Sequence, residues 1–370
     1  MADISDKNKS SRPWIMDAHL DLAMNALEWN RDLRKSIDEI RKREHGMTDK
    51  LDREKGVVSL PALREGRIGI VVATQIARYV APGSELPGWN SPHQAWAQTR
   101  GQLAWYRSME VVGEMVQIRN YQDFEKQRNV WEDLSVPDGE KPVGYILSLE
   151  GADSLITLDH LEKSYEEGLR IVGPAHYGPG RYADGTGTDG PIHAQGIELL
   201  KKMDELGMIL DITHLTDQGF DQAMEVFQGP VWASHHNSRV LVQHQRQLTD
   251  DQIRRLIERN VVIGASFDVW MMVPGWVRGT SDPVRDGAPL ERIVDHWDHI
   301  CQIAGNADHI AIGSDLDGAY GKEQSPYDLE TISDLQNLQD ILMKRGYSED
   351  DMVKIMHGNW CRFLENAWDE

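Results

Sequence analysis

The chain has 370 residues, 40% of them hydrophobic, which is enough for two modest domains or for one barrel of about 250 residues or more. The formal net charge is −21, from 39 Lys and Arg against 60 Asp and Glu. This charge argues against nucleic acid or an anionic membrane surface as a partner, and it could draw cations to a carboxylate-rich site.

Two further features of the composition bear on location. Cys301 and Cys361 have no CxxC neighbour, which disfavours a thiolate metal site and a disulfide framework. The sequence shows no apolar leader core and no segment long enough to span a bilayer. It therefore predicts a cytoplasmic protein with no membrane partner, preceded by a disordered or extended tail at residues 1–13.

The first predicted strand, residues 14–22, contains a histidine and an aspartate two positions apart near its end. Side chains alternate faces along a strand, so His19 and Asp21 project together. An imidazole beside a carboxylate can form half of a metal site, but a buried strand that simply ends in polar residues would give the same pattern. The charged segment that follows, residues 28–55, has sparse apolar positions and predicts a solvated helix.

The rest of the chain alternates buried apolar strands with amphipathic helices. Seven more strands are predicted at residues 68–75, 143–150, 169–176, 207–214, 229–235, 261–267 and 309–315. Helices are predicted at residues 97–119, 153–167, 194–206, 216–227, 249–259 and 290–303. This alternation is typical of parallel strands joined by right-handed crossovers. Eight units predict an α/β fold, a (β/α)8 TIM barrel at residues 14–327, with two helices of residues 328–370 packed outside it in the same domain.

Polar side chains end six of the eight predicted strands, which favours the barrel over an open doubly wound sheet. In an open sheet they would cluster at one switch point, whereas a barrel brings every strand end to one mouth. These strand-end residues are His19, Asp21, Glu150, His176, His214, His235 and Asp315. Crowded carboxylates repel one another and burial raises their pKa values, a conflict that a divalent cation removes. Nitrogen and oxygen ligands suit Zn²⁺, with Mn²⁺, Co²⁺ or Fe²⁺ as alternatives, and this many ligands suits two ions about 3.5–4 Å apart.

The same residues lie in ordered motifs that resemble the renal, or membrane, dipeptidase family of zinc peptidases, family M19, within the metal-dependent amidohydrolase-like barrels. The motifs are residues 17–21 (DAHLD), 150–151 (EG), 175–184 (AHYGPGRYAD), 207–214 (GMILDITH), 234–239 (SHHNSR), 245–250 (QRQLTD), 313–318 (GSDLDG) and 358–362 (GNWCR). The resemblance extends from about Trp14 to Arg362.

The resemblance implies a metal-dependent hydrolase with two zinc ions per chain. His19 and Asp21 would hold one ion, His214 and His235 the other, and Glu150 would bridge both. A hydroxide shared by the two metals would be the nucleophile, since zinc can lower the pKa of bound water to about 7.

The resemblance also implies roles around the substrate. Asp315 would orient the water and carry its proton to the leaving amine, and His176 would stabilise the oxyanion at the scissile carbonyl. Arg246 would bind the C-terminal carboxylate of the substrate, since its planar fork suits bidentate contact. Asp184 and Tyr182 are further candidates for contact with the substrate.

Several positions depart from the commonest residues of that family. His235 is followed by a second histidine, His236, and motif position assigns the ligand to His235. Leu316, Tyr182 and Gln245 also differ, which affects the expected side-chain preference more than the chemistry.

The predicted function is a dinuclear zinc dipeptidase for small dipeptides, a range that extends to those with a C-terminal D-residue, and the family suggests a homodimer. Two alternatives stay open. One is another hydrolase on the same metal site, acting on an amide or a lactone, because fold and metal do not define the substrate. The other is a metal-binding scaffold without turnover.

Overall fold

The fold is built around nine strands, which a computed structural model places within the described residues 12–368. Most of the tail predicted at residues 1–13 lies outside these residues. The strands are β1 (Ile15–Leu20), β2 (Ile68–Ile76), β3 (Met115–Gln117), β4 (Val143–Glu150), β5 (Leu169–Gly173), β6 (Ile209–Asp211), β7 (Val231–Trp232), β8 (Ile263–Ala265) and β9 (Ile310–Ile312).

Helices connect these strands and cover the barrel from outside. They are α1 (Leu22–Glu28), α2 (Ile37–Arg43), α3 (Leu60–Glu65), α4 (Pro92–Val111), α5 (Tyr121–Glu132), α6 (Leu158–Glu166), α7 (Ala194–Glu205), α8 (Asp217–Val226), α9 (Asp250–Glu258), α10 (Val269–Met272), α11 (Glu291–Ala304), α12 (Leu338–Lys344), α13 (Glu349–Val353) and α14 (Asn359–Trp368). Over residues 12–368, none of them combines the length and the apolar character needed to cross a membrane.

The strands form a parallel barrel, as predicted. One sheet has the order β1-β2-β4-β5-β6-β7, and β8 pairs with β9 in parallel. A parallel bridge between Ala233 and Ile263 joins the β7 end to β8. On the other side, the N–H of Ser314 donates to Asp17 Oδ1 at 2.8 Å and the N–H of Asp315 donates to the carbonyl of His19 at 3.2 Å. These contacts close the barrel and bring the ends of β1 and β9 together.

Local sequence signals account for the bounds of several helices. At α2, the Ser36 hydroxyl accepts the N–H of Glu39 while the Glu39 side chain accepts the N–H of Ser36, and Thr249 and Gln252 repeat this capping box at α9. α11 ends at Gly305, whose φ of 76° is the left-handed conformation that favours glycine. α2 and α9 therefore begin, and α11 ends, where the local sequence satisfies or permits the terminal backbone conformation.

The prediction of a solvated helix at residues 28–55 is wrong. Only the seven residues of α2 and the last residue of α1 are helical there. The charges turn inward instead: Arg31 Nε lies 2.8 Å from Glu44 Oε1 and Arg31 Nη2 lies 3.0 Å from Asp52 Oδ2, and all three side chains are buried. The prediction failed because sparse apolar residues indicate an exposed segment, whereas here charged side chains are buried as ion pairs.

The helix predicted at residues 97–119 is really two elements. α4 is capped by Ser91, whose hydroxyl accepts the N–H of Gln94, and it ends before Gly113, which has a φ of 76°. The chain then forms β3, in which Val116 pairs with Gly144 of β4. This short strand was missed because three residues are too few to show a period.

The two helices predicted at residues 328–370 are broken into more pieces. Gly346, with a φ of 93°, follows α12, and the capping box of Ser348 and Asp351 starts α13. α14 then packs on the barrel as predicted, since Trp360 Nε1 donates to the carbonyl of Ile312 at 3.0 Å. The C-terminal helices thus pack on the side of the barrel where β9 lies.

Candidate metal centre

The carboxylate of Glu150, the last residue of β4, lies at the centre of a histidine cluster in the mouth of the barrel. Its Oε1 lies 3.1 Å from Nε2 of His214 and 3.5 Å from Nε2 of His235. Its Oε2 lies 3.6 Å from Nε2 of His19 and 3.7 Å from Nε2 of His176. One carboxylate therefore faces imidazoles from four different strand ends, and each oxygen faces a different pair.

Potential ligand atoms come together in three overlapping groups around this carboxylate. Within each group the atoms lie within 4.8 Å of one another. The groups are His19, Asp21 and Glu150; His19, His235 and Asp315; and Glu150, His176 and His214. The structure thus places all seven sequence-predicted strand-end residues in one cluster, although His214 and His235 share no group and meet through Glu150.

Several atoms of the cluster are suited to a cation. His19 Nε2, Asp21 Oδ1 and Glu150 Oε1 are buried and have no hydrogen-bond partner among the described residues. A buried polar atom without a partner costs about 1–3 kcal/mol. Imidazole nitrogens and carboxylate oxygens are the donor set that zinc and similar divalent ions accept. The residues present therefore fit a metal site.

Hydroxyl groups hold the outer nitrogen of three of the histidines. A hydroxyl can accept the Nδ1–H of a neutral imidazole, and that leaves the Nε2 lone pair directed at Glu150. The pairs are Thr74 Oγ1 with His19 Nδ1 at 3.4 Å, Thr186 Oγ1 with His214 Nδ1 at 2.9 Å, and Ser234 Oγ with His235 Nδ1 at 2.8 Å. These contacts fix the orientation of the three rings, with Nε2 of each ring facing Glu150.

The crowded charges of the cluster perturb one another strongly. Burial raises the pKa of Asp21 to about 7 and that of Asp315 well above its ordinary value. For His19, burial is outweighed by the negative charges of Glu150, Asp21 and Asp315, which raise its pKa to about 10. Without a cation, the cluster must therefore hold protons to relieve repulsion between its carboxylates, and a divalent ion would take over that role.

Backbone strain marks two of the strand ends. His214 has a φ of 68° and Asp315 a φ of 59°, the left-handed region that residues other than glycine seldom adopt. Such a conformation costs about 1–3 kcal/mol and persists where the surrounding structure imposes it, most often at functional sites. Both of these residues belong to the cluster at the mouth of the barrel.

Arg246 lies buried beside the cluster. Its Nη2 donates to the carbonyl of His235 at 2.8 Å and its Nη1 donates to His236 Nδ1 at 3.1 Å, while its Nε has no partner among the described residues. Burial lowers its pKa. Over residues 12–368 no carboxylate forms a salt bridge with this guanidinium, which leaves it free to bind an anion. His236 thus contacts Arg246, whereas His235 faces Glu150.

The two other candidates for substrate contact lie apart from the cluster. The hydroxyl of Tyr182, which is buried, donates to the carbonyl of Leu155 at 2.7 Å. Asp184 Oδ1 lies 3.3 Å from Nε2 of His193. Within the described part of the chain, neither joins the ligand groups around Glu150. Both residues shape the loop after β5 in this structure.

Sequence reasoning missed two residues of the mouth. Arg78 follows β2 and contacts His176, with Nη2 2.6 Å from Nδ1. Asp268 directly follows the strand predicted at residues 261–267; it is buried and accepts from Gln324 Nε2 at 2.8 Å, and burial raises its pKa to about 7. The position of Asp268 directly after a predicted strand could have identified it as a residue of the mouth. Arg78 gave no such signal, because it lies three residues beyond the strand predicted at 68–75 and arginine is not a metal ligand.

The sequence matches the family model for membrane dipeptidases, peptidase family M19, over residues 10–369. A Klebsiella pneumoniae protein described as an uncharacterized protein in the pqqA 5′ region is 30% identical over 241 residues, which are 62% of this chain and 84% of that protein. The dipeptidase tcpJ of Claviceps purpurea is 32% identical over 234 residues, 61% of this chain and 52% of that protein, so the match spans about half of tcpJ.

Solved structures share the fold. A metallo peptidase from Rhodobacter sphaeroides, liganded with a phosphinate mimic of the dipeptide L-Ala-D-Ala, has a TM-score of 0.75 at 23% identity, covering 97% of this chain and 100% of that chain. The probable dipeptidase PvdM of Pseudomonas aeruginosa has a TM-score of 0.75 at 17% identity, covering 99% of this chain and 98% of that one.

Proposed function

The chain belongs to the membrane dipeptidase family of metal-dependent peptidases, peptidase family M19, and from that membership we propose that it hydrolyses the peptide bond of small dipeptides at a dinuclear zinc site. The observation that carries the proposal is the Glu150 carboxylate, surrounded by four imidazole Nε2 atoms at 3.1–3.7 Å. One carboxylate with imidazoles near both of its oxygens suits a ligand that bridges two ions.

The proposed division of the ligands follows the two oxygens of Glu150, since His19 lies near Oε2 and both His214 and His235 lie near Oε1. His19 and Asp21 would hold one ion together with Glu150, and His214 and His235 would hold the other. Bound zinc supplies water of pKa about 7 and polarises a carbonyl oxygen. The hydroxyl contacts at Nδ1 keep three of these imidazoles ready to bind through Nε2.

The remaining residues would act on the substrate. Arg246 would bind its C-terminal carboxylate, because this buried guanidinium has no carboxylate partner among residues 12–368 and contacts the backbone of the ligand His235. His176 would donate a hydrogen bond to the developing oxyanion, and Asp315 would take the proton of the attacking water and deliver it to the leaving amine. Because Arg246 lies beside the proposed metal site, a substrate whose C-terminal carboxylate it binds can extend only a short way from the scissile bond, which favours dipeptides.

We include dipeptides with a C-terminal D-residue in the proposed range. The relative from Rhodobacter sphaeroides binds a phosphinate mimic of L-Ala-D-Ala, and this motivates the choice. Zinc as the native ion, the homodimer, the cytoplasmic location, the absence of nucleic-acid partners and the division into residues 14–327 and 328–370 stay predictions.

A screen of dipeptides of mixed chirality, run beside metal analysis of the same sample, tests the function. We expect turnover of several dipeptides and about two ions per chain after loading with zinc, with activity lost on chelation and restored by zinc. Turnover of amides or lactones in place of dipeptides would favour the other hydrolase. Metal-replete protein inactive on the whole panel would favour the scaffold, and clearly fewer than two ions per chain would contradict the bridged site.

Replacing Asp315 with Asn should lower kcat by about 10²–10⁴-fold, because the amide has no carboxylate to take the proton of the attacking water. KM and metal content should change little, since Asp315 is proposed to act on the proton and not to hold a metal. Asp308→Asn is the matched control: it precedes β9 at the opposite end of the same strand and pairs with Lys354 Nζ at 2.8 Å. Metal loss in Asp315→Asn that equals its loss of kcat would instead make Asp315 a ligand.

A further inference from the structure

Arg78 reaches the mouth of the barrel from the loop after β2. Its Nη2 lies 2.6 Å from Nδ1 of His176, a residue 98 positions away, and its Nη1 donates to the carbonyl of Pro87 at 2.8 Å. The loop fixes its backbone, since the N–H of Trp89 donates to the carbonyl of Arg78 at 2.8 Å. The side chain is therefore tied at both ends and directed at one imidazole.

This contact determines which nitrogen of His176 carries the proton. A guanidinium has five N–H donors and no acceptor, so Nδ1 of His176 must accept. A doubly protonated imidazole would set one N–H against another, which excludes the charged form at this contact. The ring is therefore neutral with its proton on Nε2, and that nitrogen lies 3.7 Å from Glu150 Oε2.

The other histidines of the cluster have the opposite arrangement. Each of His19, His214 and His235 has a hydroxyl at Nδ1, and a hydroxyl can accept a proton from the ring. Their Nε2 lone pairs are then free for a metal, whereas Nε2 of His176 is a donor. The partner at Nδ1 therefore distinguishes His176, whose Nε2 is a hydrogen-bond donor, from the three histidines whose Nε2 can bind a metal.

The backbone of His176 is held equally firmly. Its carbonyl accepts the N–H of Thr186 at 2.8 Å, and its ring packs edge-on against His214 at a centroid distance of 4.6 Å. A Cβ on Gly151, whose φ is 74°, would come within 3.2 Å of the His176 Cβ, so the close approach depends on a glycine that can adopt this conformation. The ring has little freedom to rotate, and its tautomer is the property that Arg78 controls.

We propose that Arg78 is a positioning residue that holds His176 as the Nε2–H tautomer, so that His176 donates a hydrogen bond to the reacting carbonyl and does not bind a metal. The proposal rests on the dipeptidase function for the identity of that carbonyl. Under this proposal the loop after β2 contributes to the reaction by holding Arg78 against His176.

Kinetics of Arg78→Met test the consequence for the reaction. Methionine keeps most of the packing volume and removes the donor, so we expect kcat to fall by about 10²-fold, the scale of losing one oxyanion donor, with KM changed by less than about 3-fold. Metal content should stay that of the wild type. Arg78→Lys, which keeps a donor, should recover part of kcat. Arg259→Met is the control, because Arg259 also donates to backbone carbonyls, those of Phe227 and Gly229, at the far end of the barrel.

A double-mutant cycle with His176→Ala tests whether Arg78 acts through His176. If it does, Arg78→Met has no further effect on kcat once His176 is absent. Losses that multiply in the double variant would overturn the proposal, because Arg78 would then act on the substrate or on the fold independently of His176.

The tautomer itself can be read without any substrate, by ¹⁵N NMR of the histidine side chains in the zinc-loaded protein. In the wild type, His176 should show a protonated Nε2 and an unprotonated Nδ1, and in Arg78→Met it should shift toward the other tautomer. Arg78→Gln, whose side-chain oxygen can accept an Nδ1–H, provides the same reading if the methionine variant does not fold. An unchanged His176 signal in a folded variant would overturn the proposal. A wild type inactive on dipeptides that shows the expected signals would refute the proposed function and leave the Arg78 contact standing.

Discussion

Replacing Glu150 with Gln is expected to lower kcat/KM for a good dipeptide substrate by about 10³-fold or more and to remove at least one metal ion per chain. The amide is neutral, and only one of its two terminal atoms can bind a cation. The two pairs of imidazoles near Oε1 and Oε2 would then lose the negative charge that they share. Losing several kcal/mol of charge stabilisation in the transition state corresponds to about three decades in rate.

Metal analysis and kinetics on the same preparation check this expectation. Glu114→Gln is the matched control, because Glu114 is a partly exposed carboxylate that pairs with Arg64 away from the mouth. It should keep both metal and activity. Thermal melting of both variants separates a loss of site from a loss of fold. An active Glu150→Gln variant with a full metal complement would eliminate the bridging role.

Replacing Arg246 with Ala is expected to raise KM by about 10²-fold or more for substrates with a free C-terminal carboxylate, with a much smaller effect on analogues in which that carboxylate is amidated. Truncating one partner of a buried charged pair costs about 2–5 kcal/mol, because the other charge is left without a partner. The reasoning depends on a guanidinium that is buried and has no carboxylate partner in residues 12–368.

The comparison of the two substrate series makes this test specific. Arg246 also donates to the carbonyl of His235, so its loss can disturb a proposed metal ligand and lower the turnover of every substrate. Only the ratio between free and amidated substrates isolates carboxylate binding. Arg255→Ala, which removes an arginine that pairs with Asp221 on the exterior of the barrel, should leave that ratio unchanged. An equal rise in KM for both series would show that Arg246 does not bind the carboxylate.

The barrel could be predicted because its signals are local. Apolar runs of strand length alternate with amphipathic segments, and every predicted strand has its counterpart among β1–β9. The failures occurred where long-range contacts override local pattern. Arg31 and its carboxylate partners form a buried network inside a segment with a solvated pattern, and pairing with β4 makes residues 115–117 a strand inside a predicted helix.

The sequence by itself determined the residue types at the mouth and their order around the barrel, because parallel strands bring every carboxyl end to one mouth whatever the loops do. From this order followed the grouping of His19, Asp21 and Glu150 that the structure shows. Only the tertiary structure decided which nitrogen of each histidine is available. The deciding partners, such as Arg78 for His176 and Thr186 for His214, are distant in sequence, and no local pattern specifies a contact that depends on the packing of separate loops.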